Sequence, residues 1–174
     1  MNAVVIRPVS IQDVGFLQEI SRFTFLETFA SGNTEENMRQ YLEESLSYDQ
    51  LLSELNNPES EFYFALLDGQ VIGYLKLNYG SAQTEHHNPY AVEIERIYIL
   101  REFHGKQAGQ LLFEKALEMA QNRKADEIWL GVWEENPRAI NFYKKNGFVE
   151  FDKHIFRLGD DEQTDIMMRL KLKK

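Results

Sequence analysis

The chain of 174 residues contains no cysteine, which excludes disulfides, thiolate metal sites and a cysteine nucleophile together. Histidine is scarce as well. His86, His87, His104 and His154 show no H-x-x-x-H spacing, and the His86-His87 pair lies in a polar stretch, so no metal centre is expected. No apolar run approaches the roughly 20 residues of a membrane span, and the opening MNAVVIRPVS has no basic segment leading into an apolar core. The expected compartment is therefore the cytoplasm, with no membrane partner. Positive charge is in deficit: 19 basic residues against 28 acidic ones give a formal charge of −9. That argues against a nucleic-acid or anionic-membrane surface and suits a cationic small molecule better. Repeats, low-complexity tracts and linkers are also missing. With 43% hydrophobic residues the chain can bury a sizeable core, and a single domain over residues 1–174 is expected.

What is present is a change of hydrophobic period. Residues 3–8 read as a short strand in which Val4, Val5 and Ile6 precede Pro8. Ser10 is an N-cap with Asp13 in the first turn, and Val14, Leu17, Ile20, Phe23 and Phe25 then recur at helical spacing to about Phe29. After Ser31-Gly32-Asn33, Thr34 caps a second helix and Ser47 a third, which ends at Asn56-Asn57-Pro58. Residues 61–67 and 70–79 are strand-like and joined by Asp68-Gly69, a hairpin signal. A polar loop over 80–89 leads into a strand over 92–100 (VEIERIYIL) and then a turn over 101–106. A helix carrying Leu111, Leu112, Ala116, Leu117 and Ala120 follows, and then a buried strand over 127–133. Asn136-Pro137 opens a last helix closed by Asn146-Gly147, and strands over 148–158 and 165–172 flank an acidic turn over 159–163. The order β-α-α-α-β-β-β-α-β-α-β-β predicts an α/β (α+β) fold, a mixed sheet with helices on both faces.

Two segments can carry chemistry. In His104-Gly105-Lys106-Gln107-Ala108-Gly109-Gln110, a strand enters a helix through small residues, leaving unpaired N–H groups at the positive end of the helix dipole, a seat for a pyrophosphate. The second runs from Asn136 through Arg138-Ala139 and Phe142-Tyr143-Lys144-Lys145 to Gly147-Phe148. Taken singly, the first is equally a glycine turn and the second a capped helix with an aromatic stripe.

Together, in order and separation, they resemble the acetyl-CoA motifs of the GNAT (Gcn5-related N-acetyltransferase) superfamily. That pattern is a strand ending like Ile97-Tyr98-Ile99, then Q/R-x-x-G-x-G/A, and later N-x-x-A-x-x-F-Y-x-K-x-G-F. The second motif is complete here, while His104 stands at the Q/R position and Gln107 at the first glycine. Stretches at 24–29, 33–38, 93–99, 128–134 and 159–165 further resemble the PaiA-type spermidine/spermine N-acetyltransferases.

The resemblance implies a mostly antiparallel sheet of about seven strands and direct attack of an amine on acetyl-CoA, without an acyl-enzyme. An ammonium must lose a proton first, and the departing thiolate must be stabilised. Tyr143 matches the tyrosine beside the sulfur. Glu93 and Glu95, two apart on one strand, face the same side; either is a general base, a ligand for a remote ammonium, or a structural partner of Arg96. The resemblance gives the cofactor the backbone of Ile97, Tyr98 and Ile99, the turn His104, Gly105, Lys106, Gln107, Ala108 and Gly109, and Asn136, with Lys144 and Lys145 near its phosphates. Glu27, Glu35, Glu36, Glu85 and Tyr90 are candidates for holding a cationic amine. A homodimer is common among such proteins. Two alternatives stay open: a peptide or protein N-acetyltransferase, and a non-catalytic acyl-CoA-binding regulatory protein.

Overall fold

The computed structural model describes residues 3–85 and 88–172, so the His86-His87 pair lies outside the described residues. The β-branched and aromatic runs form strands β1 (Val5–Pro8), β2 (Ser60–Leu67), β3 (Gln70–Tyr79), β4 (Ala91–Ile99), β5 (Glu127–Trp133), β6 (Val149–Leu158) and β7 (Asp161–Lys171). They make one seven-stranded sheet in the order β1-β2-β3-β4-β5-β7-β6. Every neighbouring pair is antiparallel except β4 and β5.

Five helices cover the two faces. On one face α4 (Ala108–Asn122) and α5 (Pro137–Lys145) bury Leu112, Phe113, Ala116 and Tyr143 against Leu75, Leu77, Val92, Ile94, Ile128 and Leu130. On the other, α1 (Val14–Phe29), α2 (Glu35–Glu44) and α3 (Tyr48–Asn56) pack Leu17, Ile20, Phe25, Met38 and Leu51 against Phe62, Phe64 and Tyr74. Helix starts follow the sequence: Thr34 accepts from Asn37 N, Ser47 from Gln50 N and Asn136 from Ala139 N, each satisfying an orphan amide. Ser10 differs. It opens a 3₁₀ turn, Ile11–Asp13, and Asp13 accepts the Ser10 amide at 2.9 Å while pairing with Arg7 at 3.0 Å. Among the described residues, no helix is long and apolar enough to cross a membrane.

The acidic turn expected over 159–163 is tighter than its composition implies, because β7 begins at Asp161 and leaves Gly159-Asp160 as the connection. This hairpin is tied to the entry of α2. Asn37 Nδ2 donates to Asp160 at 2.9 Å, and Gln163 Nε2 donates to Asn33 Oδ1 at 2.5 Å. The stretches 33–38 and 159–165, which singled out a subgroup in the sequence, thus meet across the molecule.

Two backbone positions carry opposite expectations. Gln107 precedes α4 in the left-handed region at φ 64°, where a Cβ is disfavoured. Gln107→Gly should therefore raise stability by about 0.5–1 kcal/mol in denaturant titration. Gly159 has φ +65°, and a Cβ built there would lie 2.0 Å from Asn37 Oδ1. Gly159→Ala should lose about 1–3 kcal/mol in the same titration, because it adds a clash to a left-handed backbone.

Candidate active site

The site originates in an interrupted pairing. β4 and β5 are in register only at Ala91/Glu127, Val92/Ile128 and Glu93/Trp129. Beyond that, β4 continues beside β3 and β5 beside β7, and the two part. The parting coincides with a bulge: Lys76 opposes Arg96 and Leu77 opposes Ile94, so Glu95 is the extra residue. Between the separated strands lies a cleft of about 1360 Å³, larger than an ordinary drug-sized site.

One half of the cleft is built for an extended, phosphorylated ligand. Ile97, Tyr98 and Ile99 line it from β4, whose edge there has no β5 neighbour and offers backbone groups for pairing. His104, Gly105, Gln107, Ala108 and Gly109 line its end, whereas Lys106 does not reach it. The first intrahelical bond of α4 runs from Leu111 N to Gln107 O, so the amides before it are available to an anion. His104 Nε2 meets the Ile99 carbonyl at 2.9 Å and its Nδ1 faces the Arg138 guanidinium, which fixes a neutral tautomer with the proton on Nε2. Burial and then Arg138 hold its pKa below the usual imidazole value, against the Ile99 carbonyl. Arg138 and Lys145 also line the cleft from α5, while Lys144 pairs with Glu150 at 3.6 Å. Asn136 lines it too, with Oδ1 spent on Ala139 N. Free amides, cations and an open strand edge fit a pyrophosphate joined to an amide-bearing arm.

Glu93 and Glu95 both reach the cleft, and their surroundings differ sharply. Glu95 is enclosed by Lys76 at 2.7 Å, Arg96 at 3.2 Å and Asn78 Nδ2 at 2.8 Å, with Glu54 completing the group against Lys76 at 2.9 Å and Arg96 at 3.0 Å. Burial alone would push the Glu95 carboxyl up; the Arg96 and Lys76 charges outweigh it and bring the pKa down to about 2. Glu93 is 3% exposed and, among the described residues, pairs with no such cations. Burial pushes its carboxyl up, hydrogen bonds from Asn78 and Thr84 oppose this, and the Glu95 charge adds to the rise. Tyr143 lines the cleft from α5, packed against Phe142 and Phe148, and burial raises its phenol so that it stays protonated.

The other half of the cleft is aromatic and acidic. Phe25 stacks on Tyr41 at 4.2 Å, and Phe29 lies 5.3 Å from Trp133 and 6.2 Å from Phe156. Glu85 and Asp165 bracket His154, Glu85 at Nδ1 and Asp165 3.4 Å from Nε2. Of the acceptor-side residues expected from sequence, only Glu27 and Glu85 line the cleft, and Glu27 is occupied by the Arg101 amide at 2.9 Å. Glu36 pairs with Arg39 on the surface of α2, and Glu35 and Tyr90 lie outside the cleft. The aromatic wall, Asp165, Thr84 and Asn78 are not among the site residues expected from sequence, although Phe25, Phe29, Trp133 and Asp165 fall within the stretches 24–29, 128–134 and 159–165 that resemble the PaiA type. They come from separate elements, with no shared period to join them.

Residues 19–148 match the Acetyltransferase (GNAT) family. The chain is 43% identical over 172 residues, 99% of each chain, to an uncharacterized N-acetyltransferase in the pepI 3′ region of Lactobacillus delbrueckii subsp. lactis. It is 27% identical over 173 residues, 97% of this chain and 98% of the other, to a spermidine N(1)-acetyltransferase of Thermoplasma acidophilum. The crystal structure of the PaiA N-acetyltransferase of that organism, in complex with coenzyme A, superposes with a TM-score of 0.80 at 27% identity, over 98% of this chain and 99% of that one. The parted strands, the amide-rich turn and these likenesses agree: the chain belongs to the GNAT family and is an N-acetyltransferase whose cosubstrate is acetyl-CoA.

Proposed function

We propose that the protein acetylates a primary amine of a small polycation, of the spermidine or spermine type, by direct attack on the thioester. The observation that carries this reading is the wall of the cleft away from the turn before α4, where Glu85, Glu93 and Asp165 line it together with the rings of Phe25, Phe29, Tyr41, Trp133 and Phe156. Carboxylates and ring faces suit an ammonium, and the rings suit the methylenes between two of them. The spermidine acetyltransferase of T. acidophilum, similar along nearly its whole length, supports the same acceptor class.

Within this reading Glu93 is the general base. Its pKa lies above the usual carboxylate value, toward the operating pH, whereas Glu95 at about 2 is too weak a base to take a proton from an ammonium. Glu95 instead pins the bulge. Tyr143, lining the cleft and kept protonated by burial, is the donor to the departing sulfur. The backbone of Ile97, Tyr98 and Ile99 pairs with the amides of the pantetheine arm, and the turn from His104 to Gly109 receives the pyrophosphate.

Release of free CoA thiol, followed with spermidine, spermine, a monoamine and a lysine peptide as parallel acceptors, tests the acceptor class. Fastest release is expected with the polyamines; preference for the peptide would replace this reading, and CoA binding without release for any acceptor would favour a regulatory role. Tyr143→Phe should lower turnover by roughly 10²–10⁴-fold. Glu95→Gln is expected to act on stability: leaving Lys76 and Arg96 with Glu54 alone should remove about 3–5 kcal/mol in denaturant titration. Since folding depresses the Glu95 pKa, that contribution is present above the ordinary value of 4.5 and is lost as pH falls toward 2. The difference between wild type and Glu95→Gln should therefore shrink on acidification.

A further inference from the structure

Glu93 is poorly placed to meet an ammonium by itself. Its Oε1 accepts from Asn78 Nδ2 at 3.0 Å and from the Thr84 amide at 2.8 Å, and its Oε2 accepts from the Thr84 hydroxyl at 2.5 Å. Three donors thus occupy most of the lone-pair positions of a carboxylate that is 3% exposed. Thr84 is exposed and lines the same cleft. A hydroxyl donates one proton and still has lone pairs to accept another, so Thr84 Oγ1 has the chemistry to join the cleft to Glu93.

The threonine is held where this requires. Its neighbour Gln83 accepts from Trp129 Nε1 at 2.7 Å and donates to the carbonyls of Gly80 and Asn88, which fastens the loop across the end of the β4–β5 pairing. Among the described residues, the groups around Glu93 include Asn78 on β3, Thr84 on the loop, Trp129 opposite it on β5, and Glu95 on its own strand, whose charge is already met by Lys76 and Arg96. Among the described groups that contact Glu93, Thr84 alone carries a hydroxyl.

We propose that the Thr84 hydroxyl is a proton relay between the acceptor ammonium and Glu93. The ammonium gives an N–H proton to Thr84 Oγ1 as the hydroxyl's own proton passes to Glu93 Oε2; threonine is regenerated, and the amine and glutamic acid are neutral. The nitrogen lone pair then forms the bond to the thioester carbon, and the C–S bond breaks with its electron pair going to sulfur. The second N–H proton ends on that sulfur as CoA thiol. The proton on Glu93 returns to solvent after the product leaves. This assignment rests on Glu93 being the base, and it adds the path by which a buried carboxylate is reached.

The test compares Thr84→Val, Thr84→Ser, Glu93→Gln and the double variant Thr84→Val with Glu93→Gln, each by thiol release across pH and each checked for an unchanged melting temperature. Thr84→Val keeps the shape and the backbone donor and removes the hydroxyl. It should lower kcat by roughly 10²-fold or more, leave KM for acetyl-CoA unchanged, and move the rise in rate toward the pKa of the free amine. Thr84→Ser should restore kcat to within a few-fold. The double variant should be no slower than Glu93→Gln, because the two groups serve one path. A wild-type kcat and pH profile for Thr84→Val beside a slow Glu93→Gln would overturn the relay and leave the base; a wild-type profile for Glu93→Gln would remove the base and the relay with it. A melting temperature lowered in Thr84→Val but not in Thr84→Ser, with kcat equal in both, would also overturn it, since it would show a packing role.

Discussion

The separation of β4 from β5 after Glu93 and Trp129 is the constraint on which the rest of the molecule depends. Adjacent strands pair for as long as their backbone groups can meet, so keeping two of them apart in mid-sheet needs a device. Here it is the extra residue Glu95 and the knot it enters. Two carboxylates and two cations, from α3, β3 and β4, satisfy one another beneath the sheet. Buried ion pairs seldom add net stability over apolar packing, but they are intolerant of rearrangement. That intolerance is useful at a bulge, where a one-residue slip against β3 would return Glu95 to the ladder.

The same few residues show how one strand gives two glutamates different chemistry. Glu93 and Glu95 share the amide of Asn78, which is itself fully buried and accepts from Ser60 Oγ at 2.9 Å. What separates them is two cations. Lys76 and Arg96 touch Glu95 and not Glu93, which leaves one carboxylate fixed in its charged form and the other able to change state.

The fold was legible because it rests on local signals: the change from helical to alternating period, Asp68-Gly69 between β2 and β3, and side-chain caps at Thr34, Ser47 and Asn136. The phosphate turn and α5 were legible for the same reason, each being one continuous stretch. Sequence places Glu93 and Glu95 on one face, and both accept from Asn78, but Lys76, which helps to tell them apart, comes from β3, and no spacing within β4 reveals it. The acceptor side was the least legible. Glu35, Glu36 and Tyr90 have side chains suited to an ammonium but do not line the cleft. The rings and carboxylates that do line it come from α1, α2, β5, β6, β7 and the loop before β4, joined only by tertiary packing.

The strand order has a consequence for synthesis. β7 lies between β5 and β6, so the outer edge of β5 has no partner until residues 161–171 have left the ribosome. Up to that point the emerging chain presents Ile128 to Trp133, an apolar strand with a bare row of backbone donors and acceptors. Closing the sheet is also what brings Asp160 and Gln163 onto Asn37 and Asn33, more than 120 residues upstream. Contacts so distant in sequence form slowly, which makes the final hairpin the step at which a nascent chain either covers the edge of β5 or finds another chain's edge instead.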